Sequence, residues 1–361
     1  MMRNRVIASI ALSILGLVAL GTAALAESVW FADSSLEYVI RSSLDIWYRA
    51  VEDTDLLAIN TIIAREKGIS NLSGLEYCVE ATFLDLGTNN VSDVSLIAPL
   101  TELTFLSLYQ NNITDVAPLD GLVNLRSLWL DYNNVEDIST LAGLTKLVAV
   151  YLKSNQIADI SPLAGLTPIR ILDLTYNEIE DISPLAGLVN LERLRLFGNP
   201  ITDLSPLRNL AKVFELTLGS IEEEPMQIDL SPLWELEKLA RLLISSIELP
   251  SLEPLRGLEN LNELDILRAN LTDISAIAGM SKIRLLGLSG NPLTDLSPLL
   301  ELPNLEVVWL LDIGVTRDDG SPAADVIASL EAEGVTVVLS EEEQEDLELG
   351  PRVPNAAKYT P

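Results

Sequence analysis

The chain has 361 residues, 48% of them apolar, and 53 acidic against 23 basic side chains give it a net charge of −30, a field that repels nucleic acid and anionic lipid. It contains no histidine, which removes the usual general base, nucleophile activator and commonest metal ligand. Its single cysteine, Cys78, excludes an intramolecular disulfide.

The first residues place Arg3 and Arg5 ahead of an apolar run that ends in Ala24-Leu25-Ala26. This pattern predicts a secretory signal over residues 1–26, cleaved after Ala26, although the run is also long enough to be retained as an anchor. Residues 27–58 are expected to form a helical N-terminal cap. There Asp33-Ser34-Ser35 leads into Leu36, Val39, Ile40 and Leu44, the spacing of an amphipathic helix that would cover the first strand after it.

From residue 59 to residue 302 the chain repeats itself. Units start at Ile59, Ala81, Leu103, Leu125, Leu147, Ile169, Leu191, Val213, Leu239, Leu261, Ile283 and Leu305, every interval being 22 residues except one of 26. A fixed period of that length means a solenoid, with one continuous core. Within a unit, a segment such as Leu106-Ser107-Leu108 alternates inward apolar and outward variable residues, so it is expected to be a short strand of a parallel sheet.

After each strand comes an asparagine, at 89, 111, 133, 155, 177, 199 and 291, whose amide can satisfy backbone groups in its own and the neighbouring unit. Asp-x-Ser-Pro-Leu comes next, as in Asp159 to Leu163. Serine is expected as helix N-cap, proline at the first helical position, and Gly165 or Gly187 as the close of a short helical turn on the convex side.

The one long unit contains Glu222-Glu223-Glu224-Pro225, and the asparagine position becomes Ile221, Ile247 and Ala269 in succession. An acidic loop and a local change of curvature are expected there. Residues 303–340 should supply the last repeat strand and a C-terminal cap, with a helix over Ala323 to Glu333 and a strand over Val335 to Leu339. Residues 341–361, acidic and then proline-bearing, are expected to be a disordered tail.

The pattern Leu-x-x-Leu-x-Leu-x-x-Asn-x-Ile resembles the 22-residue class of leucine-rich repeats found in the listerial internalins and in a regulatory subunit of protein phosphatase. The resemblance extends from Glu27 to Ser340, and Gly68 to Cys78 is similar to the opening unit of many secreted bacterial members. It implies an α/β leucine-rich-repeat solenoid, a curved horseshoe or arc with a parallel sheet on the concave face and short 3₁₀ turns on the convex face. It also implies a binding scaffold, since internalins grip host surface proteins with the concave sheet. The immunoglobulin-like domain, glycine-tryptophan modules and sorting signal of familiar internalins do not occur in this sequence, so a host-invasion role is not implied.

Chemistry has little to work with. Nucleophile elbows, phosphate loops and paired cysteines are absent. A column of acids at Asp93, Asp115, Asp137, Asp159, Asp181, Asp203, Asp229, Asp273 and Asp295 has the oxygen chemistry of calcium. Its spacing by whole units favours carboxylates that accept backbone N–H bonds at their own turns. No metal, cofactor or catalytic residue is assigned. A carboxylate hydrolase would need two acids facing one cleft, and the outward acids are each expected to pair with a nearby base in register.

The outward strand positions are not dictated by packing, and they hold ten of the 18 Phe, Tyr and Trp residues together with nine basic and ten acidic side chains. Arg193, Glu215, Arg241 and Glu263 alternate down one column, and Asp173 lies beside Arg195, which strand pairing explains. The aromatic cluster asks for contact with a ligand. The candidate concave-face site is therefore Phe105, Tyr109, Arg126, Trp129, Tyr132, Tyr151, Arg170, Tyr176, Arg193, Arg195 and Phe197. The expected partner is a protein, with a glycan as the alternative because sugars stack on Trp and Tyr. Nucleic acid and small-molecule cofactors are not expected, and the secreted or envelope-bound chain is read as a monomer.

Overall fold

The computed structural model describes residues 26–221, 226–317 and 320–346. The expected signal over residues 1–26 falls, apart from Ala26, outside the described residues. So do the acidic loop at 222–225 and the end of the expected tail, 347–361.

Two helices open the described chain, α1 (Ser34–Leu44) and α2 (Asp53–Leu56). The Asp33 carboxylate accepts from the Ser35, Leu36 and Ser70 amides, so one side chain both caps α1 and ties it to the first repeat. Leu36, Val39 and Ile40 are buried as the 3.6-residue period requires.

The strands come in chain order. They are β1 (Thr61–Ile63), β2 (Phe83–Asp85), β3 (Phe105–Ser107), β4 (Ser127–Trp129), β5 (Ala149–Tyr151), β6 (Ile171–Asp173), β7 (Arg193–Arg195) and β8 (Glu215–Gly219). After them come β9 (Met226–Gln227), β10 (Arg241–Ser245), β11 (Ile247–Glu248), β12 (Glu263–Leu267), β13 (Leu285–Gly287), β14 (Val307–Trp309) and β15 (Thr336–Val338). Thirteen of them form one open sheet in chain order, while β9 and β11 pair separately. Neighbours are parallel and in register, so Leu84, Leu106, Leu128, Val150, Leu172 and Leu194 make one ladder. The core is that ladder and its companions, such as Leu108, Ile113, Val116, Leu119 and Leu122 in a single unit, all at most 1% exposed.

Most strands are three residues long because the chain turns sharply soon after. The residue before the asparagine position has positive φ at Glu66, Thr88, Gln110, Tyr132, Ser154 and Tyr176, and Gly198 and Gly290 fill the same place. That left-handed residue lets the asparagine drop into the core. Asn133 is typical. Its Oδ1 accepts the Ile113 amide at 3.0 Å and its Nδ2 donates to the carbonyls of Leu108 at 2.9 Å and Leu130 at 3.0 Å, joining two units.

The convex turns differ from expectation in one respect. Ser161 is the first residue of its 3₁₀ turn (Ser161–Leu163) instead of the cap. The Asp159 carboxylate accepts its amide at 2.8 Å, and the Ser161 hydroxyl donates back to Asp159 at 3.0 Å. The same amide bond recurs at Asp93, Asp115, Asp137, Asp181, Asp203, Asp229, Asp273 and Asp295. These donors, the Ser161 amide first and its hydroxyl second, hold the Asp159 carboxyl below its ordinary range. Gly187 ends its turn (Ser183–Gly187) without the left-handed conformation of a glycine cap.

The irregular units replace the missing asparagines with backbone pairing. Strands β8, β10 and β12 lengthen to five residues, β9 pairs with β11, and Ile247 and Ala269 are fully buried where amides would stand.

At the far end, α3 (Pro322–Ala332) is capped by the Ser321 hydroxyl, and β15 pairs with β14. The stretch expected to be unstructured beyond Ser340 opens instead with a helix, α4 (Glu341–Asp346). Glu343 holds it in place, bonding to Arg317 at 2.5 Å and to the Leu339 amide at 2.8 Å. Cys78 is fully buried, and burial pushes its thiol up to about 12, so it is an inert core residue.

Candidate functional site

The outward strand positions face the concave side, and their side chains stack from unit to unit because parallel strands repeat every ~4.8 Å. Two aromatic rows result. In the first, Phe83 stacks on Phe105 with ring centroids 4.2 Å apart, Phe105 lies 6.2 Å from Trp129, and Trp129 lies 4.3 Å from Tyr151. In the second, Tyr109 meets Tyr132 edge-on at 5.5 Å, and Tyr176 meets Phe197 in the same way at 5.5 Å. Lys153 bridges the second row, with Nζ 5.1 Å from the Tyr132 ring and 5.7 Å from the Tyr176 ring.

Of the eleven candidate residues, six come together as one half-exposed patch: Phe105, Tyr109, Trp129, Tyr132, Tyr151 and Tyr176. Phe197 does not join them at the surface. It is 4% exposed because Gly219 beside it has no side chain, and a Cβ there would lie 2.5 Å from the Phe197 ring. The arginines separate into two kinds. Arg170 pairs with Glu192 at 2.6 Å, Arg193 with Glu215 at 3.6 Å, and Arg195 with Glu215 at 2.7 Å and Asp173 at 3.4 Å. These are rungs of cross-strand charge ladders, continued by Arg241–Glu263 and Arg284–Glu306. Arg126 is exposed and forms no salt bridge among the described residues.

Three participants were not chosen from the sequence. Phe83 extends the first row by one unit, and its place in the same column as Phe105 was the available signal. Lys153 and Asp131 lie side by side in the second column, and the Lys153 amide donates to Asp131 Oδ1 at 2.8 Å. The expectation that every concave acid pairs with a nearby base fails at Asp131. Asp85 holds Arg65 at 2.8 Å and Asp173 holds Arg195, but Asp131 is in no salt bridge among the described residues. It is 6% exposed. Burial pushes its carboxyl up to about 7 against the opposing Lys153 amide bond, and the charge of Asp173 adds to the rise. Burial also raises the Tyr151 hydroxyl, with Arg195 and Arg193 pulling the other way.

A cleft of about 440 Å³ is lined by Gln227, Glu248, Pro250, Asn270 and Thr272 beside β9 and β11. Among the described residues no group of three His, Cys, Asp or Glu could hold a metal, and no helix is long and apolar enough to cross a membrane.

The family description of leucine-rich repeats in two copies matches residues 101–143, 123–165, 145–187 and 169–209. An internalin from Listeria monocytogenes is 30% identical, with 89% of this chain and 93% of that chain covered and a TM-score of 0.80. A leucine-rich-repeat protein of Leptospira interrogans is 20% identical over 73% of this chain and 67% of its own, with a TM-score of 0.61. The plant peptide hormone receptor RGFR1, solved in complex with RGF2, is 19% identical over 72% of this chain and 48% of its own, with a TM-score of 0.53. At those identities the last two share the fold alone. No curated protein matches. The repeat, its asparagine ladder and the match along nearly the whole chain place it plainly: it belongs to the leucine-rich-repeat proteins and is similar in sequence and fold to a listerial internalin.

Proposed function

We infer that this chain is an exported, non-catalytic recognition protein that binds a protein ligand on its concave face, through the units beginning at Leu103 to Leu191. One observation carries the reading. Six half-exposed aromatic side chains from consecutive units form a single patch, on the face that charge ladders leave nearly neutral in a strongly acidic molecule. Tyr and Trp are the usual anchors of protein interfaces. Leucine-rich-repeat scaffolds are usually non-catalytic, and the structure of RGFR1 with RGF2 is an instance of such a scaffold in complex. The apolar leader supports export, with the product acting as a monomer.

A protein ligand is favoured over a glycan because Phe83 with Phe105, and Trp129 with Tyr151, lie ring against ring at 4.2 and 4.3 Å. That packing takes up one side of each ring and leaves less flat aromatic surface for a sugar to stack on. The test is a pull-down with residues 27–361, identification of the captured protein, and its affinity for Trp129→Ala combined with Tyr151→Ala. Loss of two such anchors weakens binding by ~10-fold or more. Unchanged affinity overturns the assignment, and capture of glycans alone on an array favours the alternative.

A further inference from the structure

Several buried acids of the concave face are held by arginines, and Asp131 is not. Asp85, Asp173 and Glu215 each hold an arginine from a neighbouring unit at 2.7 to 3.4 Å. Asp131 is equally buried and holds none. Its surroundings are aromatic. It lies two residues after Trp129 on the same strand face and precedes Tyr132, with Tyr109 in the unit before and Tyr151 and Lys153 in the unit after. Lys153 offers Asp131 its backbone amide and a favourable charge, and its Nζ lies over the Tyr132 and Tyr176 rings. Asp131 is thus a buried carboxylate among aromatic positions of its own and the adjoining units.

A carboxylate and the faces of Trp and Tyr attract the same kind of group, a cation on an apolar stem. We propose that Asp131 is the specificity determinant of the concave patch and receives a lysine or arginine side chain of the protein ligand between Trp129, Tyr132 and Tyr151. The incoming cation takes the place that Arg65 takes at Asp85 and Arg195 at Asp173. This proposal rests on the concave face being the ligand-binding face.

The groups facing Asp131 define its pH behaviour. They are Tyr151 and Lys153 from the next unit and Asp173 one unit further. Burial pushes the Asp131 carboxyl up to about 7, so its charge changes between pH 6 and 8. Binding of a cation should therefore weaken as pH falls from 8 to 6.

Tetralysine amide is the probe, titrated at fixed salt while the indole N–H resonance of Trp129 is followed by NMR. The expected result is a saturable shift, at least 5-fold weaker in Asp131→Asn and unchanged in Asp159→Asn, which removes the same charge from the convex side. In the unaltered protein the affinity should be at least 3-fold lower at pH 6 than at pH 8, which tests the site without a substitution. Equal affinity in Asp131→Asn and in the unaltered protein overturns the proposal, as does binding that ignores pH. With the captured partner, retention of binding in Asp131→Asn together with loss in Trp129→Ala/Tyr151→Ala sinks this inference and leaves the concave-face reading standing. Retention in both sinks the two together.

Discussion

Asp131 shows how a single residue departs from its repeat. A carboxyl ordinarily near 4 is pushed up to about 7 by burial, so its effect on stability has a definite sign. Below about pH 4 it is protonated folded or unfolded and contributes nothing. As pH rises from there the unfolded chain ionises first, and the folded state loses stability until about pH 7, where the loss is complete. Asp131→Asn keeps the acceptor for the Lys153 amide and removes the ionisable group. Its thermal denaturation should therefore show a gain of up to about 4 kcal/mol at pH 8 and almost none at pH 4. A gain that persisted at pH 4 would assign it to packing instead. Phe105, Trp129 and Tyr151 were legible as outward-facing from the period alone. Phe197 was not, because its burial depends on Gly219 in the next unit, a relation across strands that the local pattern does not express.

At the scale of the element, the asparagine ladder and the strand ladder do the same work by different means. Asn133 satisfies one amide and two carbonyls buried between units. Asn133→Ala leaves these groups unpaired in a site closed to water and should cost about 3 kcal/mol, read as a lower midpoint in urea. A change under half of that would mean that water or backbone adjustment takes over the bonds. Around Ile221, Ile247 and Ala269 the chain has already made such a replacement, with longer strands and an extra pair between β9 and β11. The sequence announces the irregularity at these positions, since three amides in succession are missing. Its remedy requires Met226–Gln227 and Ile247–Glu248, far apart in the chain, to lie side by side.

At the scale of the molecule, an open solenoid must close both ends of its sheet or pair with other copies. The N-terminal end is closed by α1, locked through Asp33 to Ser70, and by Phe31, which seats over Gly74 so closely that a Cβ there would meet its ring at 2.5 Å. At the other end Ile327 and Leu330 of α3 are buried in the core, and Arg317 gathers Glu331, Glu343 and the Val337 carbonyl. A chain ending at residue 316 should expose that edge and form oligomers by light scattering, whereas the full chain stays monodisperse. Monomers in both cases would show that the cap is dispensable.

The sequence by itself determined the solenoid and which strand positions turn inward or outward. A strict 22-residue period leaves one way to bury the leucines, and stacking then repeats that solution from unit to unit. Tertiary structure alone decided which outward residues remain available. Arg170, Arg193 and Arg195 are held by acids of adjacent units, Phe197 sinks over a glycine, and Asp131 is enclosed without an arginine. Each of these outcomes depends on the size and charge of a residue about 22 positions away, and only the packed sheet brings such residues within reach of one another.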